Sequence, residues 1–222
     1  MQGSISNSAQ HVTNGMNRVY SNMFMAVMNS MLVSYFVSTS PALMTFLFTG
    51  VLKWIVILAP LAAIFAISFY MHKVTKGQAM LMLHGFAALM GLSFATIFVV
   101  YTSMSIVQAF LGAACLFLAM SLYGYTTKRD LTSVGQFMFI GLIGIIIASI
   151  INIFIGSSVM QMVVSALAVI IFLGLTAYDT QKIREMLAYD RNGHAEVSGA
   201  LTLYLDFISI FINLLQLFGN RR

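Results

Sequence analysis

An all-α bundle of seven membrane-crossing helices is the fold class this sequence predicts, and three observations predict it. Of its 222 residues, 60% are hydrophobic and only 8% charged, with mean hydropathy +0.93; soluble chains carry about a quarter charged residues. Two runs, 77–127 and 131–178, contain no Lys, Arg, Asp or Glu. Strand-like alternation of apolar and polar residues is absent, which excludes a β-barrel. In lipid every backbone N–H and C=O must be satisfied within the structure, so continuous helices of about 20 residues are the remaining solution.

The elements follow in chain order, as one integral membrane domain over 1–222. Residues 1–17 are rich in Ser, Asn, Gln and His and read as a polar N-terminal tail. They lack the basic-then-apolar order of a secretory signal, so the first span is expected to be retained. That span occupies about 19–37 and ends at Ser38-Thr39-Ser40-Pro41. A second, 54–71, contains Pro60, an expected kink that neighbouring helices can accommodate. The run 77–127 is too long for one crossing and divides at the polar patch 101–105, giving spans 79–101 and 106–126. The run 131–178 breaks at Gly156-Ser157-Ser158 into 134–155 and 159–179, and the last span is 199–218. The loops are too short to hold a second domain.

Seven crossings sort the basic residues onto two sides. Arg18, Lys73, Lys76, Lys128, Arg129, Lys182, Arg184 and Arg191 share one side; Lys53, Arg221 and Arg222 share the other. The positive-inside rule then places the N-terminus in the cytoplasm and the C-terminus outside. The net charge of +5 is accounted for by this orientation signal and does not point to nucleic acid.

Acid is placed sparingly. None of the first 129 residues is Asp or Glu, yet Asp179 closes the sixth apolar run and Asp206 lies inside the seventh. An ionised Asp near the bilayer centre costs roughly 2.5–3.5 kcal/mol even on the gentlest insertion scale, so such residues face a cavity, a partner or an ion. An antiparallel pair of helices joined by the polar segment 190–198 can bring the two acids together. Close carboxylates do not ionise independently; they share a proton and titrate as one unit. Loss of that proton frees oxygen ligands suited to Ca²⁺. The plainer reading of Asp179 is an i,i+3 pair with Lys182. Asp206 has no such escape, since its own span offers no cation before Arg221.

At 100° per residue, Thr202, Asp206, Ser209, Asn213 and Gln216 fall in one narrow sector of the last helix. Interhelical hydrogen bonding is the modest explanation; a hydrated path lined by this stripe at the bundle centre is the sharper one. Gly91 with Ala95, and Gly144 with Ala148, give small-xxx-small spacing for close helix packing, and Asn22 and Asn29 read as interhelical contacts. The methionines, including Met23, Met25, Met28 and Met31, are scattered without Cys or His, which favours packing over soft-metal transport. The single cysteine, Cys115, also reads as packing. His72, Lys73 and Lys76 form a solvated loop from which one could reach the acid pair.

Three stretches carry a resemblance: 121–154 (SLYGYTTKRDLTSVGQFMFIGLIGIIIASIINIF), 174–183 (GLTAYDTQKI) and 200–219 (ALTLYLDFISIFINLLQLFG). They resemble the Bax inhibitor-1 family in its bacterial branch, closely over the last four helices and more loosely over the first three, through MNRVY at 16–20 and the glycine region around Gly91. The resemblance implies a seven-helix bundle with the last helix central, in the bacterial inner membrane, acting as a pH-sensitive Ca²⁺ leak. Its acid pair falls on Asp179 and Asp206, which would serve as pH sensor, gate and transient calcium ligands. The family's basic bridge near the end of the second helix has no arginine here; His72 and Lys73 stand in that place. This chain also has no acid on its second helix.

The leading expectation is therefore a passive cation leak with no resident cofactor, whose partners are the lipid bilayer, Ca²⁺ and protons, with Thr202, Ser209, Asn213 and Gln216 along the route. An alternative, implied by part of the bacterial branch, is an interaction protein that modulates a membrane-anchored ATP-dependent protease. A remote alternative is an intramembrane aspartyl protease. That chemistry needs Gly-x-Gly-Asp around the second acid, where this chain has Tyr204-Leu205-Asp206, and a late Pro-Ala-Leu, which here occurs only at 41–43.

Overall fold

A computed structural model describes residues 2–71, 73–190 and 192–222, with the side chains of 2–9 also outside the description. Among the described residues the chain forms eight α-helices: α1 (Gln2–Ser38), α2 (Pro41–Phe48), α3 (Leu52–Tyr70), α4 (Lys76–Val100), α5 (Ser103–Thr126), α6 (Thr132–Ile155), α7 (Ser158–Tyr189) and α8 (His194–Phe218). Six of these, α3 to α8, are long and apolar enough to cross a membrane, and α1 and α2, bent by 102° at the break between them, meet that length and composition as a pair. α8 is the most buried of the six.

The boundaries have local causes. Thr75 and Gln78 form a reciprocal capping box at the start of α4. Thr102 caps α5 through the Ser105 N–H. Gly156, at φ +68°, ends α6 in the left-handed region that glycine enters without a Cβ penalty. In the turn before α6, Asp130 accepts the Thr132 N–H at 2.8 Å, and its hydrogen bonds with Thr132 hold its carboxyl below the usual range. Three features depart from expectation. The polar N-terminus continues α1 as helix instead of forming a tail, a short α2 follows the first span, and α7 runs ten residues past Asp179. The loop to α8 is correspondingly short. Its Asp190 carboxylate takes the N–H groups of Asn192, Gly193 and Ala195 at 3.0, 3.1 and 2.8 Å.

The chain divides into two compact units. The first holds residues up to 101, 186–204 and 222; the second holds 102–185 and 205–221. In the first unit α1 packs on α4 at Gly91, where a Cβ would meet the Ser30 carbonyl oxygen at 2.6 Å and the Val33 Cβ at 2.8 Å. Asn29 donates to the His84 carbonyl at 2.8 Å, the interhelical role expected of it. Ser30 Oγ lies 2.7 Å from both the Ala87 carbonyl and the hydroxyl of the fully buried Tyr204, whose ring stands edge-on to Phe86. Ser93 ties α4 to α3 through the Val56 carbonyl at 2.7 Å. Glu196, in the first turn of α8, is buried between two cations: Arg18 of α1 at 3.0 Å and Lys76 of α4 at 2.5 Å. His194 reaches the Val74 carbonyl at 2.8 Å.

In the second unit Phe110 and Phe117 of α5 meet Phe207 of α8 edge to face at 5.4 and 5.8 Å. Ile145, Val164 and Ala168 form an α6–α7 core with Leu142, Ala148, Ile171 and Phe172 around it. Glycines let α7 approach closely: Gly124 of α5 lies on the Ala177 backbone, and Gly135 of α6 on the Tyr178 ring. Two expectations are corrected. Gly144 faces open space instead of a neighbouring helix, and Cys115 is exposed instead of packed. In both cases the residues around them are apolar whether they face protein or lipid.

Gly91→Ala is expected to lower stability by about 1–3 kcal/mol, because the new methyl group would overlap backbone atoms that cannot rotate away. Gly144→Ala, with nothing to strike, is expected to raise it by about 0.5–1 kcal/mol through backbone entropy; thermal unfolding in detergent compares the two. Arg18→Ala and Lys76→Ala are each expected to cost no more than about 1 kcal/mol, since both cations are partly solvated. The double variant is expected to lose about 3 kcal/mol, more than the sum, because Glu196 is then buried without a counter-charge. Additive losses in the same assay would contradict this.

Candidate functional site

Asp206 sits midway along α8 and is buried. Its Oδ2 has no hydrogen-bond partner, and among the described residues no Lys, Arg or His forms an ion pair with it. The groups acting electrostatically on its carboxyl come from α7: the charge of Asp179 and the Thr176 hydroxyl. Thr176 is itself bonded back to the Phe172 carbonyl at 2.7 Å. The structure thus brings Asp179 and Asp206 into one electrostatic neighbourhood, with Asp179 half-buried.

The α7 segment that carries Asp179 is held tightly. Thr180 shares a hydrogen bond with Ser121 of α5 at 3.0 Å. The Gln181 amide accepts the Leu131 N–H and donates to the Arg129 carbonyl, both at 2.9 Å, so it grips the α5–α6 turn from both sides. Arg184 donates to the Tyr125 carbonyl and lies over its ring. Lys182, the expected i,i+3 partner of Asp179, instead places its ammonium 5.6 Å from the Tyr178 ring centroid, and no ion pair forms between the two among the described residues.

The polar stripe of α8 shows a consistent bonding pattern. Thr202 Oγ1 donates to Ser198 O at 3.1 Å, Ser209 Oγ to Leu205 O at 2.7 Å, and Asn213 Nδ2 to Ser209 O at 2.8 Å. The two hydroxyl protons and one of the Asn213 amide N–H groups are spent on their own helix, and the side-chain oxygens keep lone pairs. Gln216 differs. It is exposed, and its Oε1 accepts from Gln161 and Ser165 of α7, both at 2.8 Å. Of the basic candidates, Lys73 is exposed in the α3–α4 turn with no ion pair among the described residues, and His72 lies outside the described residues.

Sequence reasoning missed the Gln181 clamp and the Glu196 cluster. Glu196 and Arg18 stand 178 residues apart, so no spacing rule joins them. A signal existed all the same: Glu196 is an acid at the head of an apolar helix with no basic residue one turn away.

Comparison with known proteins bears on this geometry. The family model for "Inhibitor of apoptosis-promoting Bax1" matches residues 12–222. The chain is 42% identical to "Inner membrane protein YbhL" of Escherichia coli (strain K12), over 93% of this chain and 92% of that protein. It is 38% identical to an uncharacterized protein of Borreliella burgdorferi over 92% and 91% of the two chains. With an uncharacterized protein of Rickettsia prowazekii it shares 41% identity over 76% and 73%. A match across nearly the whole chain, together with six to seven apolar helices and no strand among the described residues, establishes that this is an integral protein of the bacterial inner membrane that belongs to the Bax inhibitor-1 family.

Proposed function

We propose that the protein is a non-enzymatic, pH-sensitive leak for calcium, with Asp179 and Asp206 as its proton-sharing gate. The observation that carries this reading is the Asp206 carboxyl: buried in the most enclosed apolar helix, with one oxygen lacking a hydrogen-bond partner among the described residues and a second acid acting on it electrostatically. A purely structural acid would be expected to have a cation or a full set of donors at such a depth.

Two carboxylates and a threonine hydroxyl supply far fewer than the six to eight oxygens that a resident Ca²⁺ takes. Such a site holds the ion briefly and lets it go, as conduction requires. Ser209 and Thr202 present acceptor lone pairs with their protons already donated, and Asn213 offers its amide oxygen with one N–H already used, a lining suited to cations. Gln216, held by Gln161 and Ser165, would close this route at the far end of α8 until those bonds yield.

The direction of the pH response follows from charge. Proton loss leaves two carboxylates that repel each other, loosening α7 from α8, and that attract a divalent cation more strongly. Both effects have the same sign, so flux is expected to rise as pH rises through the coupled titration. In proteoliposomes measured from about pH 5 to 8, a range bracketing a coupled carboxylate titration, wild type is expected to show this rise. Asp206→Asn and Asp179→Asn are each expected to flatten it. If both variants kept the wild-type flux and profile, the gate would lie elsewhere. Copurification of a membrane-anchored ATP-dependent protease with no ion flux would favour the interaction-protein reading instead.

A further inference from the structure

We propose that α2 is an interfacial helix, lying flat against the lipid layer between headgroups and acyl chains instead of completing or re-entering a membrane span. The first crossing does not need it. Residues 19–38 of α1 form twenty helical residues, about 30 Å at 1.5 Å per residue, and the hydrocarbon core is about 30 Å thick. The crossing is therefore complete where α1 ends.

There the chain turns by 102°, which directs α2 along the membrane plane. Its eight residues, PALMTFLF, carry no charge, and none of them is buried by protein. Leu43 and Phe46 are large and exposed. At about 12 Å long it cannot cross a bilayer, and left in water its apolar surface would be unfavourably hydrated. Lipid is the cover consistent with an uncharged, largely apolar helix on a membrane protein.

The ends of α2 are polar, in keeping with that depth. Ser40 caps the first turn and Pro41 occupies the first helical position, where its missing N–H costs nothing. Thr49 Oγ1 bonds back to the Thr45 carbonyl, and Gly50 at φ +60° turns the chain towards α3. Lys53 follows, its ammonium 5.5 Å from the ring centroid of the exposed Trp54. A Trp–Lys pair is at home at headgroup level, the ring in the interface and the ammonium reaching to water and phosphate. A re-entrant hairpin would instead carry α2 into hydrocarbon together with one of these polar ends.

The chain supplies its own probes, with one cysteine and one tryptophan. In a Cys115→Ser background, Ala42→Cys and Phe46→Cys are spin-labelled separately and reconstituted in phosphatidylcholine–phosphatidylglycerol vesicles. Depth is then read from collisions with oxygen and with a water-soluble nickel complex. Positions 42 and 46 share a helix face, so a flat α2 is expected to give equal depths, about 5–10 Å into the headgroup–acyl boundary. A difference of about 6 Å, four residues of helical rise, would show a helix inserted end-on and overturn the proposal. So would free access of the nickel complex to both labels, or oxygen access that falls as protein is concentrated in the membrane, which would mark a second copy as the cover. In the unmutated chain, Trp54 fluorescence is expected to be quenched more by lipids brominated near the headgroup than by lipids brominated near the chain ends. The reverse order would contradict the placement of this layer.

Discussion

Taking a carboxylate out of water is the largest single penalty in this molecule, and α8 incurs it twice with opposite outcomes. Glu196, at the head of the helix, is neutralised by Arg18 and Lys76. Asp206, ten residues further on, forms no ion pair among the described residues, and its Oδ2 has no hydrogen-bond partner there. A buried ion pair that keeps both its cations at the water boundary is affordable and fixes its elements in register. A buried acid acted on by another acid, with no cation to offset it, is costly to keep ionised. The same helix thus carries an anchor at one end and a responsive group further in.

That division organises the surrounding contacts. Arg18, Lys76 and His194 tie α1, α4 and the start of α8 together within the first unit. In the second unit, the Ser121–Thr180 bond and the double grip of Gln181 hold the Asp179 turn of α7 to α5 and to the α5–α6 turn. Rigidity on the α7 side bears on the proposed gate. If both helices could relax, proton loss would be absorbed by small local shifts; with α7 held, the repulsion acts on α8.

The number and order of crossings were legible because hydrocarbon imposes a length and forbids charge. The uncharged runs 77–127 and 131–178 and their breaks at Tyr101 and Gly156 translate directly into α4 to α7. What the sequence hid has a common cause. A residue facing lipid and one facing a neighbouring helix are both apolar, so periodicity says nothing about which way Gly144 or Cys115 points. The extensions of α1 and α7 were hidden for the opposite reason, since polar residues outside the bilayer can be helical without any hydropathic mark. Asp206 stood out because the bilayer makes any acid conspicuous. Its neighbour Thr176 and the Gln181 clamp did not, since polar uncharged residues are common in crossing helices.

One consequence follows from α6. Only three of its 24 residues are buried, and at about 36 Å it exceeds a hydrocarbon layer of about 30 Å. Such a helix must tilt, or thicken the bilayer around it, at a modest cost for each ångström of mismatch. Because Gly135, near its start, rests on the Tyr178 ring next to Asp179, a change of tilt would press on the helix turn that carries the acid. Membrane thickness is then a mechanical input to the second unit, independent of any solute.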